Sequence, residues 1–219
     1  MFERPLTRKA WLGGAVVTVL GLAGLDRPRG SSGASVSCVL APEQTEGPYY
    51  IAGEKLRRNI TEGHPGAPML LRTTVVDATT CRPIKNAAVD VWHADAAGVY
   101  SGFGSGAASR TFMRGIQRTN ARGLAEFRTV YPGWYQGRTV HIHVKVHAGG
   151  DVVHTGQLYF SDALTDRVYK RAPYSSRPNR TTRNGDDMIF RNGGARSLLK
   201  VKRNATGVYV ATITMGVRR

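Results

Sequence analysis

His141 and His143 stand one residue apart in TVHIHVKV (Thr139 to Val146), a run that alternates along its length. In an extended strand alternate residues share a face, so the two imidazoles point one way and Ile142 and Val144 the other. Two imidazoles adjacent on one rigid element can bind a metal without either side chain having to search for the ion. The competing reading is a half-buried strand carrying two ordinary histidines. Tyr135 lies six positions before His141, just past the Pro132-Gly133 turn, and Tyr100 ends a second segment beyond another glycine-bearing loop. Zinc is normally met by His, Cys and carboxylate. Two neutral nitrogens with two phenolates suit a hard trivalent ion instead, and ferric iron is the biological candidate. Against this, both tyrosines could be loop residues packed on the core.

The segments around these residues are TEGPYY (Thr45 to Tyr50), VDVWHADAAGVYSG (Val89 to Gly102), FMRGIQRTNARGLAEFRTVYPGWYQGRTVHIHV (Phe112 to Val144) and GQLYF (Gly156 to Phe160). In this order they resemble the intradiol ring-cleavage dioxygenases, the non-haem ferric enzymes typified by catechol 1,2-dioxygenase and protocatechuate 3,4-dioxygenase. The resemblance runs from about Cys38 to the C-terminus and is closest to the small exported bacterial branch. It implies one ferric ion per chain held by Tyr100, Tyr135, His141 and His143, with Tyr135 as the phenolate a substrate displaces. It also implies a catechol-type substrate and O2, with both oxygen atoms retained in a cis,cis-muconate-type diacid. Arg138, three positions before His141, matches the family's active-site arginine, and Gln157 in GQLYF matches the family's glutamine behind the ligands, which helps shape the O2 and substrate pocket. A guanidinium there can stabilise negative charge developing on the ring; the plainer alternative is a surface ion pair. Pro48 and Tyr50 would line the substrate mouth or simply form a turn.

The elements that must position these groups read as all-β. Strand patterns cover Leu70 to Ala78, Ala87 to Ala94, Gly123 to Val130, Thr139 to Val146, Val152 to Phe160 and Gly207 to Met215. Gly, Pro, Asn and Asp clusters separate them, which predicts a β-sandwich with long loops. One short helix is expected from Asp162 to Lys170 behind a Ser161 cap. Residues Arg171 to Gly194 read as a long loop covering one end of the sandwich. The resemblance agrees, and places the iron site at one end of the sandwich.

Residues 1–34 read as an export signal and residues 35–219 as the catalytic domain. Arg4, Arg8 and Lys9 precede an apolar run from Trp11 to Leu25, short for a membrane span and suited to a signal core. TRKAWL (Thr7 to Leu12) looks like a twin-arginine signal with lysine in the second place, with cleavage near Ala34; an uncleaved anchor is the rival. Cys38 and Cys81 are the two cysteines, and in an exported protein they read as one disulfide, the alternative being two buried thiols.

The formal charge of +16 raises the question of nucleic acid, but the arginines are dispersed rather than gathered on one element, so no nucleic-acid partner is expected. No membrane span is expected in the mature form. His93 reads as a core residue or a neighbour of the site, His147 as too far along the strand for the same ion, and His64 and His154 as surface residues. The short spacing from Tyr135 to His141 predicts a trimmed, open cleft wall, and the chain carries no counterpart of the helical dimerisation domain of catechol 1,2-dioxygenases, which leaves the oligomeric state open. Two other functions stay in view: an exported β-sandwich binding module without catalysis, and a different metalloenzyme built on the histidines.

Overall fold

Two four-stranded sheets share one core in the computed structural model, which describes residues 38–104 and 106–218. The first sheet has the order β4 (Leu124–Val130), β1 (Pro68–Asp77), β8 (Tyr209–Val217), β7 (Lys200–Arg203). The second has the order β3 (Arg114–Arg118), β2 (Ala88–Trp92), β5 (His141–Ala148), β6 (Asp151–Tyr159). All pairs are antiparallel except β1 with β8. The all-β sandwich expected from the alternating patterns is what forms. Residues 1–34, the expected export signal, lie outside the described residues, among which no helix is long and apolar enough to cross a membrane.

Alternation explains the core. Met69, Leu71 and Val75 of β1 meet Val89, Val91, Ile142, Val144 and Val146 of the second sheet in one buried cluster. The six expected strands are present within a few residues, and two more were not expected. β3 (RGIQR) and β7 (KVKR) are framed by cations and carry one isoleucine and one valine, so neither shows an apolar face. They form because paired neighbours supply the ladder. The expected helix is α1 (Asp162–Tyr169), and the Ser161 side chain accepts from the Leu164 amide at its start. The 171–194 segment is less loop-like than expected. It holds two 3-10 turns and the one-turn helix α2 (Met188–Arg191), capped by Asp187.

β5 is buried on both faces, and this is what makes a site. Ile142, Val144 and Val146 face the core, while His141, His143 and Lys145 are also buried. Their cover is the segment after Cys38. Its Ala41 amide donates to Gly216 O at 2.9 Å and its Gln44 amide to Thr155 O at 2.9 Å. The Gln157 side chain then donates to Thr45 O at 2.9 Å. This strap lays TEGPYY over the outer face of the second sheet. The Cys38–Cys81 disulfide forms as expected and fixes the start of the strap. Closing a loop of 43 residues is worth ~4 kcal/mol on the chain-entropy estimate.

Two histidines expected at the surface are not there. His154 is buried against Glu43 at 2.6 Å, because the strap carries that carboxylate over β6. His64 is half-buried, its Nδ1 3.2 Å from Asp95 Oδ2 and its ring 3.8 Å from that of Phe112. His93 is a core residue, its ring nitrogens engaging Ala94 O and Thr129 Oγ1, both at 2.8 Å.

Candidate metal centre

Cross-strand partners in an antiparallel sheet share a face, so the pairing itself lists what surrounds β5. Arg114, Trp92, His143 and Gln157 form one row across the second sheet, and Tyr159 stands opposite His141. Trp92 lies flat on His143, with ring centres 4.9 Å apart and planes 6° from parallel. Gly47 of the strap, at φ 72°, lies against the same ring: a Cβ there would sit 3.1 Å from His143 Cε1. The imidazole is therefore held by both the sheet and the strap.

Two imidazole nitrogens meet at this end of the sheet, His141 Nε2 and His143 Nε2, 3.0 Å apart. His141 Nδ1 lies 2.6 Å from Thr139 O, so its N–H donates there and Nε2 keeps a lone pair. Burial, followed by the neighbouring Arg138 charge, pushes the His141 pKa down to about 3. Burial, followed by His141, holds His143 well below the usual range. Both rings are neutral at physiological pH, the state a metal requires.

The phenols arrive from two loops that can approach only because of glycine. A Cβ on Gly133 would lie 2.4 Å from Ala96 O, and one on Gly98 2.2 Å from Trp134 O. The Asp95 carboxylate shapes the first loop by accepting from the Ala97 and Val99 amides at 2.9 and 3.0 Å. The result is a Tyr100–Tyr135 ring pair 5.6 Å apart at 76°, with Tyr100 6.1 Å from the His143 ring. Tyr135 Oη is 3.2 Å from His141 Nε2. Tyr100 is buried, and its hydroxyl makes no close hydrogen bond; the Tyr135 hydroxyl is the polar group it faces. Burial, then the nearby Tyr135, raises the Tyr100 pKa well above that of a free phenol.

A buried hydroxyl without a close partner is costly, and this one lies in a cluster with the His141 and His143 rings and a second phenol. That donor set fits a hard trivalent cation, which would lower both phenol pKa values and satisfy the orphaned oxygen. Among the described residues no group of three or more His, Cys, Asp or Glu could hold a metal, so any metal in this place depends on the tyrosines.

Arg138 stands at the rim. Its Nε donates to Asp187 Oδ2 at 2.9 Å, Nη2 donates to Gln157 Oε1 at 2.5 Å, and Nη1 is 3.4 Å from His141 Nε2. Burial alone would raise the Asp187 pKa, but the Thr139 amide and the Arg138 charge outweigh it and hold the carboxyl below its usual value. Asp187 is a part of the site that the sequence did not suggest.

The strap also departs from expectation. Tyr50 turns away from the phenols: its ring packs on Trp92 at 4.8 Å, under Lys145 Nζ at 3.6 Å. Pro48 is exposed. Tyr49 is the residue against the phenols, stacked on Tyr100 at 4.3 Å and edge-on to Tyr135 at 6.2 Å. With Phe103 at 5.1 Å it shields the Tyr100 side.

Behind Tyr50, Asp90 is 1% exposed, and its pKa is pushed up to about 7 by burial first and by Glu54 second, against Tyr50, Lys145 and Arg114. A carboxyl raised above its unfolded value near 3.8 gives stability that is full at about pH 4 and lost as pH rises through about 7. Asp90→Asn should therefore gain on the parent protein by about 2 kcal/mol at pH 8, or roughly 4–8 °C, and by much less at pH 5. Thermal unfolding of metal-free protein at the two pH values reads this directly. A gain that does not grow with pH would show that Asp90 titrates normally.

A family model described as Dioxygenase matches residues 45–179. The intradiol ring-cleavage dioxygenase of Tetranychus urticae superposes with a TM-score of 0.79 at 34% identity, over 83% of this chain and 95% of that one. The dioxygenase domain of a dioxygenase–carbohydrate-binding fusion from Streptomyces sp. SirexAA-E gives 0.63 at 31% identity, over 82% and 99%. Catechol 1,2-dioxygenase 2 of Acinetobacter lwoffii is 33% identical over 50% of this chain and 47% of its own length. The chain spans about a third to just over half the length of the curated relatives it matches.

Proposed function

The chain belongs to the intradiol ring-cleavage dioxygenases, and on that premise we propose that it holds one Fe(III) and opens a catechol between its hydroxyl-bearing carbons to a cis,cis-muconate-type diacid. One observation carries the reading: two imidazole nitrogens and two phenols gather at one buried place where Tyr100 Oη has no other partner. Bound Fe(III) would supply Lewis-acid chelation of the vicinal diol and make the catecholate electron-rich enough to react with O2. The chain's residues supply the rest. Tyr100, His141 and His143 are buried and serve as fixed donors. Tyr135 is only half-buried and would be the donor a chelating diol displaces, its phenolate Oη then able to take a proton from the substrate. Arg138, aimed by Asp187 and Gln157, stabilises negative charge developing on the ring. Gln157 also ties the strap to the site through Thr45 O, which helps exclude water.

The substrate class is a catechol, and substituted or lignin-derived members are the proposed preference. Export by the twin-arginine-like signal fits a fold tied by the Cys38–Cys81 disulfide, a bond favoured in oxidising compartments. Iron-loaded protein should be reddish from tyrosinate-to-iron charge transfer, contain about one iron per chain, and consume one O2 per catechol opened. Metal analysis, an absorption spectrum and oxygen uptake across a panel of catechols check this. A colourless protein that binds zinc or copper and takes up no oxygen would return the reading to a binding module or another histidine-based metalloenzyme. Activity confined to unsubstituted catechol would remove only the substrate preference.

A further inference from the structure

The loop that carries Tyr100 is tied to the strap and the second sheet by one buried cation. Arg114 on β3 is 1% exposed and faces Trp92, the ring that lies flat on His143. Its Nη2 donates to Ser101 O at 2.7 Å, and its Nε lies 3.0 Å from Ser101 Oγ and 3.2 Å from Ser101 O. Its Nη1 donates to Tyr49 O at 2.7 Å, and Glu54 approaches Nε at 3.8 Å. Ser101 directly follows Tyr100, and its hydroxyl donates onward to Phe112 O at 2.6 Å. Tyr49 is the residue whose ring covers Tyr100. One planar guanidinium thus joins the loop that carries Tyr100, the strap that covers it and the sheet that carries His143. On the Tyr135 side the cation is the more exposed Arg177, whose Nη1 donates to Trp134 O at 3.0 Å and also to Ala97 O, and the loop closes through a Tyr135–Arg138 bridge across Gly137 (φ 82°).

We infer that Arg114 is a positioning residue that fixes Tyr100 as the resident donor. The physical reason is the fork: five donors in one plane can serve two carbonyls in different segments at once, and a lysine ammonium on a flexible stem cannot hold both with the same geometry. The inference rests on the proposed iron chemistry for its consequence, while the clamp itself exists without metal.

The test is Arg114→Lys, which keeps the charge and removes the fork. In metal-free protein, hydrogen exchange of peptides covering residues 100–107 and 47–51 should quicken by about tenfold or more, with β5 and β6 unchanged. In iron-loaded protein the charge-transfer band should move, and kcat should fall by about tenfold with KM changed by less than about threefold. Should Arg114→Lys fail to fold, Ser101→Ala carries the same assays, since it removes one acceptor of the fork and leaves both carbonyls; its effects should have the same pattern and smaller size. Unchanged exchange at 100–107, or exchange raised equally throughout the molecule, would overturn the inference. If the parent protein neither retains iron nor consumes oxygen, the functional reading fails, and the exchange comparison still decides the clamp.

Discussion

Tyr100→Phe should yield a protein that folds at least as well as its parent without metal, yet no longer retains iron. In the metal-free molecule the Tyr100 hydroxyl is buried and makes no close hydrogen bond, facing only the Tyr135 hydroxyl. Deleting it removes an unmet desolvation cost, so stability should stay level or rise by about 1 kcal/mol, roughly 2–4 °C in Tm. The ring and its stacking on Tyr49 remain. Loaded with iron, the variant should lose most of its visible band and its stoichiometric metal, and turnover should fall by about 10³-fold or more, because the Lewis acid that supplies several kcal/mol is no longer seated. Metal analysis, absorption and thermal unfolding on one preparation give all three numbers. Opposite signs for metal-free stability and iron retention are what distinguish a donor from a packing residue. A loss of more than about 2 kcal/mol in the metal-free variant would mark the phenol as structural.

The parts of this site that were legible in the sequence are those governed by strand periodicity. His141 and His143 share a face because β5 alternates, and the core valines and isoleucine between and after them follow from the same rule. Tyr100 and Tyr135 could be named as candidates from their glycine-bearing loops, but core packing stayed an equal reading until the resemblance was added, because loops have no period and their approach depends on Gly98 and Gly133 meeting foreign backbone. The same lack of period explains Tyr49 and Tyr50. The two rings are adjacent in TEGPYY, and nothing in the local sequence tells which one turns to the phenols and which to Asp90 and Lys145. His154 was misplaced at the surface because the strap, 111 positions away, brings Glu43 over it. Asp187 left no mark for a similar reason: it sits 49 positions beyond Arg138 in a polar segment, and its role appears only once α2 is seated beside β5. Trp92 fell inside an expected strand and Arg114 did not, and their row with His143 and Gln157 depends on cross-strand register, which the alternation of a single strand does not specify.

Register and loop seating together converge on Arg138, where the second large effect is expected. Arg138→Lys should leave iron content near one per chain and lower kcat by about 10²–10³-fold. The guanidinium contributes no lone pair to a metal, so its removal takes away no donor. What it supplies is a positive charge 3.4 Å from His141 Nε2, held in direction by Asp187 on Nε and Gln157 on Nη2. A lysine can keep the charge but not both anchors, so the ammonium would pair with buried Asp187 and draw back from the reacting ring. Asp187 would still accept from the Thr139, Ile189 and Phe190 amides, which limits the loss of stability to about 1–2 kcal/mol. KM should change less than kcat, since charge on the ring develops during reaction rather than on binding. Steady-state oxygen uptake beside iron analysis of the same sample makes the comparison. A variant that loses iron in parallel with activity would show Arg138 acting through the donors, and a kcat within about threefold of the parent would reduce its role to the ion pair with Asp187.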